Sequence, residues 1–121
     1  MSLKEQFELL KDKDSVTVRI TGHAIIRLRE RKVKDYEKLN RKVLENIILN
    51  VIRDGKYWVG SRDIKIATKK YTLACTAQKG KLIVKTVIQT RKDFWEKFAR
   101  KAKPTPWKHI NSLRPFLDVK G

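Results

Sequence analysis

The sequence predicts an α+β fold in which N-terminal helices pack on a four- to five-stranded antiparallel sheet, followed by a basic C-terminal helix. Three observations predict it. Apolar residues from Leu39 to Ile52 recur at helical spacing. Several apolar runs between Tyr57 and Gln89 read as strands, and Phe94, Trp95, Phe98 and Ala102 return to the helical period. The 121 residues suffice for one hydrophobic core, read as a single domain over 1–103 with a Pro-containing basic tail over 104–121.

The first element is a short amphipathic helix. Leu3, Phe7 and Leu10 share one side, with Lys4, Glu5 and Lys11 elsewhere, which predicts packing on the domain edge and no chemistry. After the polar turn at 11–14, Ser15 to Ile20 alternates, with Val16, Val18 and Ile20 on one face and Thr17 and Arg19 on the other. Asp35 is a cap for the long helix that carries Leu39, Val43, Leu44, Ile47, Ile48, Val51 and Ile52. Gly55 stands just past its end, where a left-handed residue is common. Strands follow at Tyr57–Val59, Ile64–Thr68, Tyr71–Ala77 and Leu82–Gln89. Lys69-Lys70 and residues 78–81 supply the turns between the last three. Thr90 is the expected cap of the last helix, with Asp93 in its first turn. That helix has a basic side made of Arg91, Lys92, Lys97, Arg100 and Lys101, and Pro104 and Pro106 end it. The tail has no clear period, so wrapping over the core and staying loose until a ligand binds both remain open.

The stretch with the most chemistry is His23 to Arg31. Read as a short helix capped by Thr21, it places His23, Arg27 and Arg31 within roughly 80° of one another, at about 100° per residue. Ala24, Ile25 and Leu28 fall on another side, suited to packing. Guanidinium groups pair with phosphate oxygens in a bidentate way, and a helix N-terminus adds positive potential. A neutral imidazole among those cations can take a proton from a ribose hydroxyl. The structural alternative is a solvated basic helix with one surface histidine.

Charge bounds the partners. A formal net charge of +17 and an isoelectric point near 10.3 are extreme for this length, and self-repulsion on that scale points to nucleic acid or anionic lipid. No apolar run approaches the roughly 20 residues of a spanning helix. The N-terminus has no signal-peptide core, which predicts a cytoplasmic chain without membrane association. Cys75, the single cysteine, admits no intramolecular disulfide and no cysteine-based zinc site, and its place in an alternating run marks it as a small core residue. No metal or other cofactor is expected. Trp58 and Trp95 lie in apolar patterns and read as core, leaving Trp107 as the best exposed ring for stacking on bases.

The strand, the H-A-x-x-R-x-x-E-R helix at 23–31, the longer helix and the strand ending Ile-Val-Lys-Thr-Val-Ile at 83–88 resemble a small family with an HA-x-x-R helix. That family is in turn similar to the RelE, BrnT and colicin-type ribonucleases, the barnase-EndoU-colicin-RelE group, many of them toxins or phage and mobile-element proteins. The resemblance covers about residues 16–90. It implies an antiparallel sheet with helices on one face, and metal-independent RNA cleavage in which a ribose 2′-hydroxyl attacks its own phosphate. His23, Arg27 and Arg31 match the helix pattern, and Thr86 matches the polar residue of the last strand. The helix and tail after residue 90 lie outside the pattern.

The expected catalytic set is therefore His23, Arg27, Arg31 and Thr86. The expected nucleic-acid contacts are Arg29, Lys32, Lys65, Lys85, Arg91, Arg100, Lys101 and Trp107, with RNA favoured over DNA. A second proton-transfer group is not evident; Lys65, Lys85, Tyr71 and the remote His109 are its candidates, and Thr90 joins Thr86 as a donor to phosphate. A cognate inhibitor protein is the other partner this reading allows. Two rival readings use other residues. A metal-dependent nuclease would hold Mg²⁺ with Asp54 and Asp63 and position water with Lys65. A non-enzymatic basic DNA- or RNA-binding module needs only the charge. A protein that occupies another protein's nucleic-acid groove needs no more than that either.

Overall fold

The computed structural model describes residues 2–11, 17–21, 41–107 and 114–118. Helix α1 (Leu3–Lys11) precedes strand β1 (Thr17–Thr21), and helix α2 (Arg41–Asp54) leads into β2 (Lys56–Val59). Strands β3 (Ile64–Ala67), β4 (Tyr71–Gln78) and β5 (Lys81–Gln89) follow, then helix α3 (Lys92–Lys101), β6 (Lys103–Pro104) and β7 (Arg114–Asp118). The α+β class and the four strands between 56 and 89 agree with the sequence reading. The sheet differs from it.

The strands form one mixed sheet in the order β6-β2-β3-β4-β5-β1-β7. Strands β2 to β5 are antiparallel as expected, but β1 runs parallel to both β5 and β7. The expected four to five antiparallel strands are thus extended by two segments, one at the expected boundary between domain and tail and one within the tail. Residues 103–104 pair with β2, and 114–118 form an edge strand, where Pro115 costs no interior ladder bond. Sequence order cannot show this, because a strand pairs with whatever backbone the crossover delivers.

Alternation explains the core. Val18, Ile20, Ile64, Ile66, Leu73, Cys75, Leu82, Val84 and Val87 are buried on one face, against Phe7 and Leu10 of α1 and Ile48, Val51 and Ile52 of α2. Helix α1 is therefore central to the core rather than an edge element. Its start is capped by Ser2: the Glu5 amide donates to Ser2 Oγ at 3.2 Å, and Ser2 Oγ donates to Glu5 Oε1 at 3.1 Å. Phe7 lies 4.6 Å from the Tyr57 ring and meets Trp107 edge-on at 5.5 Å. A smaller cluster packs Phe98 and Ala102 of the α3 region on Ala67, with Phe94 and Trp95 beside them.

Three local expectations are corrected. Gly55 is not a left-handed cap, since its φ is not among the positive ones. Its side-chain hydrogen is required by close approach, because a Cβ there would meet the Val51 oxygen at 2.5 Å and the Ala67 oxygen at 2.7 Å. Thr90 does not cap α3; Arg91 holds the cap position, with no side-chain cap bond. Thr90 Oγ instead donates to the Thr68 carbonyl at 2.8 Å and lies 2.8 Å from Thr72 Oγ, tying the β3–β4 turn to the end of β5. Trp107, expected to be exposed, is 1% exposed, and its indole N–H donates to the Leu10 carbonyl at 3.1 Å. The 78–81 turn is as expected: Lys79 and Gly80 both take positive φ, at 51° and 73°, the geometry of a two-residue hairpin loop.

Candidate nucleic-acid interface

The side of the sheet opposite the core carries the polar residues. Cross-strand pairing aligns Trp58 on β2 with Lys65 on β3, Lys65 with Ala74 on β4, and Ala74 with Thr86 on β5. The next pair along, Cys75 with Val84, is inward and buried. Lys85 stands between these two pairs, outside the one-to-one register of the ladder. The register shifts there, so two residues of β5 face the single residue Ala74.

This is a β-bulge, and it has a chemical consequence. In a regular strand neighbours alternate sides, so Lys85 and Thr86 would point apart. The bulge breaks the alternation: Val84 and Val87 are both buried inward, and Lys85 and Thr86 between them are both half-buried. An ammonium and a hydroxyl thus open onto one place. They line an open concavity of about 420 Å³ with Asp63, Lys65, Thr72 and Ile88. Lys65 Nζ pairs with Asp63 Oδ2 at 3.1 Å, with both side chains about one-third exposed. Two lysines and one aspartate are among the residues that line the concavity. Hydroxyl donors beside such cations suit phosphate oxygens.

The same face continues sideways. Arg19 of β1 is exposed and pairs with Ile83, which pairs with Thr76, on the outward row next to the bulge. Across the sheet Trp58 is 41% exposed, and Lys101 Nζ stands 4.9 Å from the centre of its ring. Helix α3 begins and ends in exposed cations: Arg91 and Lys92 at its start, Arg100 and Lys101 in its last turn.

Among the expected site residues, Lys65, Lys85 and Thr86 come together. Arg91, Arg100 and Lys101 are exposed on or beside α3, and only Lys101 is seen to reach the outer row. Trp107 leaves the set because it fills the core. Tyr71 packs half-buried against the core cluster and does not line the concavity, and the Thr90 hydroxyl is used in the turn. His23, Arg27, Arg29, Arg31, Lys32 and His109 lie outside the described residues, as does Asp35. The metal-dependent arrangement does not form as expected. Asp54 ends α2 next to the Lys56↔Ala67 end of the β2–β3 ladder, while Asp63 flanks the Val59↔Ile64 end. Four ladder positions at about 3.4 Å each separate them. Among the described residues no three His, Cys, Asp or Glu side chains group as metal ligands.

Two features of this face escaped the sequence reading. Trp58 was assigned to the core, yet Tyr57 and Val59 on either side of it face inward and alternation turns it out. The bulge did leave a trace: inward valines at 84 and 87 are three apart where a regular strand requires two. Cys75 is the buried residue it was expected to be. Burial, and secondarily the Asp63 carboxylate, push its thiol far above its ordinary range, outweighing Lys65 and Lys85. Among the described residues no helix is long and apolar enough to cross a membrane. Compared with protein-family models, curated proteins and solved structures, the chain matches none.

Proposed function

We propose that this protein binds nucleic acid through the outer face of its sheet, with the bulge at Lys85 and Thr86 as the phosphate-holding centre. The observation that carries the reading is the convergence of Lys65, Lys85 and Thr86 in one concavity of a chain whose net charge is +17. Phosphate neutralisation supplies affinity without sequence information, and the basic ends of α3 add to the field around the sheet. RNA is the favoured ligand, because the HA-x-x-R resemblance points to ribonucleases.

The reaction that reading carries is metal-independent cleavage. The ribose 2′-oxygen bonds to phosphorus as His23 takes its proton, and the bond from phosphorus to the 5′-oxygen breaks as that oxygen gains a proton. Lys65 and Lys85 are the described candidates for that proton donor, and Arg27 and Arg31 balance the transition-state charge. Binding without cleavage is the non-enzymatic alternative.

One set of measurements tests both. Labelled RNA and DNA are titrated over a range of salt, then incubated with and without EDTA and examined for cyclic phosphate ends. Affinity is expected to fall linearly in log–log form with salt, and Lys65→Gln or Lys85→Gln to reduce the slope by about one unit each. Cleavage that survives EDTA and is lost in His23→Ala, with binding kept, supports the enzyme. Binding with no cyclic ends rejects it and leaves the module, whereas salt-insensitive or absent binding rejects the whole proposal.

A further inference from the structure

We infer that this interface selects single-stranded over duplex nucleic acid by stacking an unpaired base on Trp58, an inference that rests on the nucleic-acid reading above. Trp58 and Leu9 are the large apolar side chains most open to solvent among the described residues, at 41% and 51%. Leu9 sits on α1, on the helix side of the sheet; Trp58 lies on the outer face, in the row that leads to the bulge. Its aromatic body contributes nothing to the main core cluster, which takes Tyr57 and Val59 from the same strand. The ring has Lys65 as its cross-strand partner and the Lys101 ammonium 4.9 Å from its centre.

That arrangement has the parts that single-strand binders combine: a π-surface for a base, with cations where the flanking phosphates run. Lys101 attracts the ring electrostatically and sets its orientation, while its flexible stem lets the ammonium move onto an arriving phosphate. In a duplex each base is covered by its neighbours, so a ring standing on a sheet finds no open base face. From Trp58 to the bulge is three strand spacings, about 14 Å at roughly 4.8 Å each. A strand laid across the sheet therefore meets the ring at one end and Lys85 and Thr86 at the other.

The test is fluorescence anisotropy with one labelled oligonucleotide, presented as a single strand and as its duplex, at matched salt. The wild type is expected to bind the single strand more tightly. Trp58→Leu is expected to weaken that complex about ten-fold or more, the scale of one lost stacked base, and to weaken the duplex complex less than about two-fold. The salt slope stays unchanged because no charge is lost, and Trp58→Phe retains most of the affinity. Equal losses on both ligands, no loss on either, or a wild-type preference for duplex overturns the inference. If Trp58→Leu does not fold, the wild-type ratio and the quenching of tryptophan fluorescence by the single strand decide, and equal affinities or no quenching overturns it. Wild-type binding to neither ligand overturns the nucleic-acid reading itself. Equal, salt-sensitive binding to both leaves that reading standing and removes only the stacking.

Discussion

The inner and outer faces of this sheet are built by the same strands and obey different rules. Inside, Val18, Ile20, Ile66, Leu73 and Leu82 are fully buried, and Trp107 fills the gap beside Phe7 of α1. Outside, Arg19, Lys65, Lys85 and Trp58 stand on the same backbone with partial or full access to water. The two tryptophans make the contrast concrete. Trp107 has its ring enclosed and its N–H bonded to Leu10, whereas Trp58 holds a lysine over an open ring. What the difference teaches is how to read substitutions: inward changes register as stability, and outward ones, under the function proposed above, as affinity.

The largest expected effect breaks the inner face. Trp107→Ala removes the ring between α1 and the sheet and leaves the Leu10 carbonyl without its donor, which should cost about 3–5 kcal/mol. Urea unfolding measures it; a loss below about 1 kcal/mol would mean that Trp107 is not the core residue described here. Gly55→Ala comes next. Its added methyl would press on the Val51 and Ala67 carbonyls, so α2 and β3 must separate, at about 1–3 kcal/mol in the same assay. A stabilised variant would contradict the close approach.

The smallest effect sharpens the contrast by chemistry. Cys75 faces inward directly behind the basic row, so a thiol reagent should label it only after unfolding. Its folded-state pKa is raised, so the unfolded chain releases the proton first as pH rises. The thiol's contribution is therefore complete below the unfolded value near 8.5 and declines above it. Thermal melts of wild type and Cys75→Ala should diverge less at alkaline pH than at neutral pH. Rapid labelling of the folded protein would place the thiol on the outer face instead.

The elements themselves were legible in the sequence to within a residue or two where periodicity was strong. Strands β2 to β5, the α2 stripe and the Lys79-Gly80 turn follow from local rules, because alternation, helical spacing and turn chemistry act over a few neighbouring residues. The site was only partly legible. Lys65, Lys85 and Thr86 could be named from charge and resemblance. Their meeting depends on a bulge, and the sequence registers that only as one irregular step between Val84 and Val87.

By itself the sequence determined the α+β class, the strongly basic character, and which residues alternate to which side. Tertiary structure alone decided that β1 lies parallel beside β5, that residues 103–107 and 114–118 complete the sheet and core, and which tryptophan is enclosed. The physical reason is range. Propensity and pattern are set by adjacent residues, whereas Trp107 is buried by Phe7 and Leu10, about a hundred positions away, and no local signal at Pro106-Trp107-Lys108 can carry that contact.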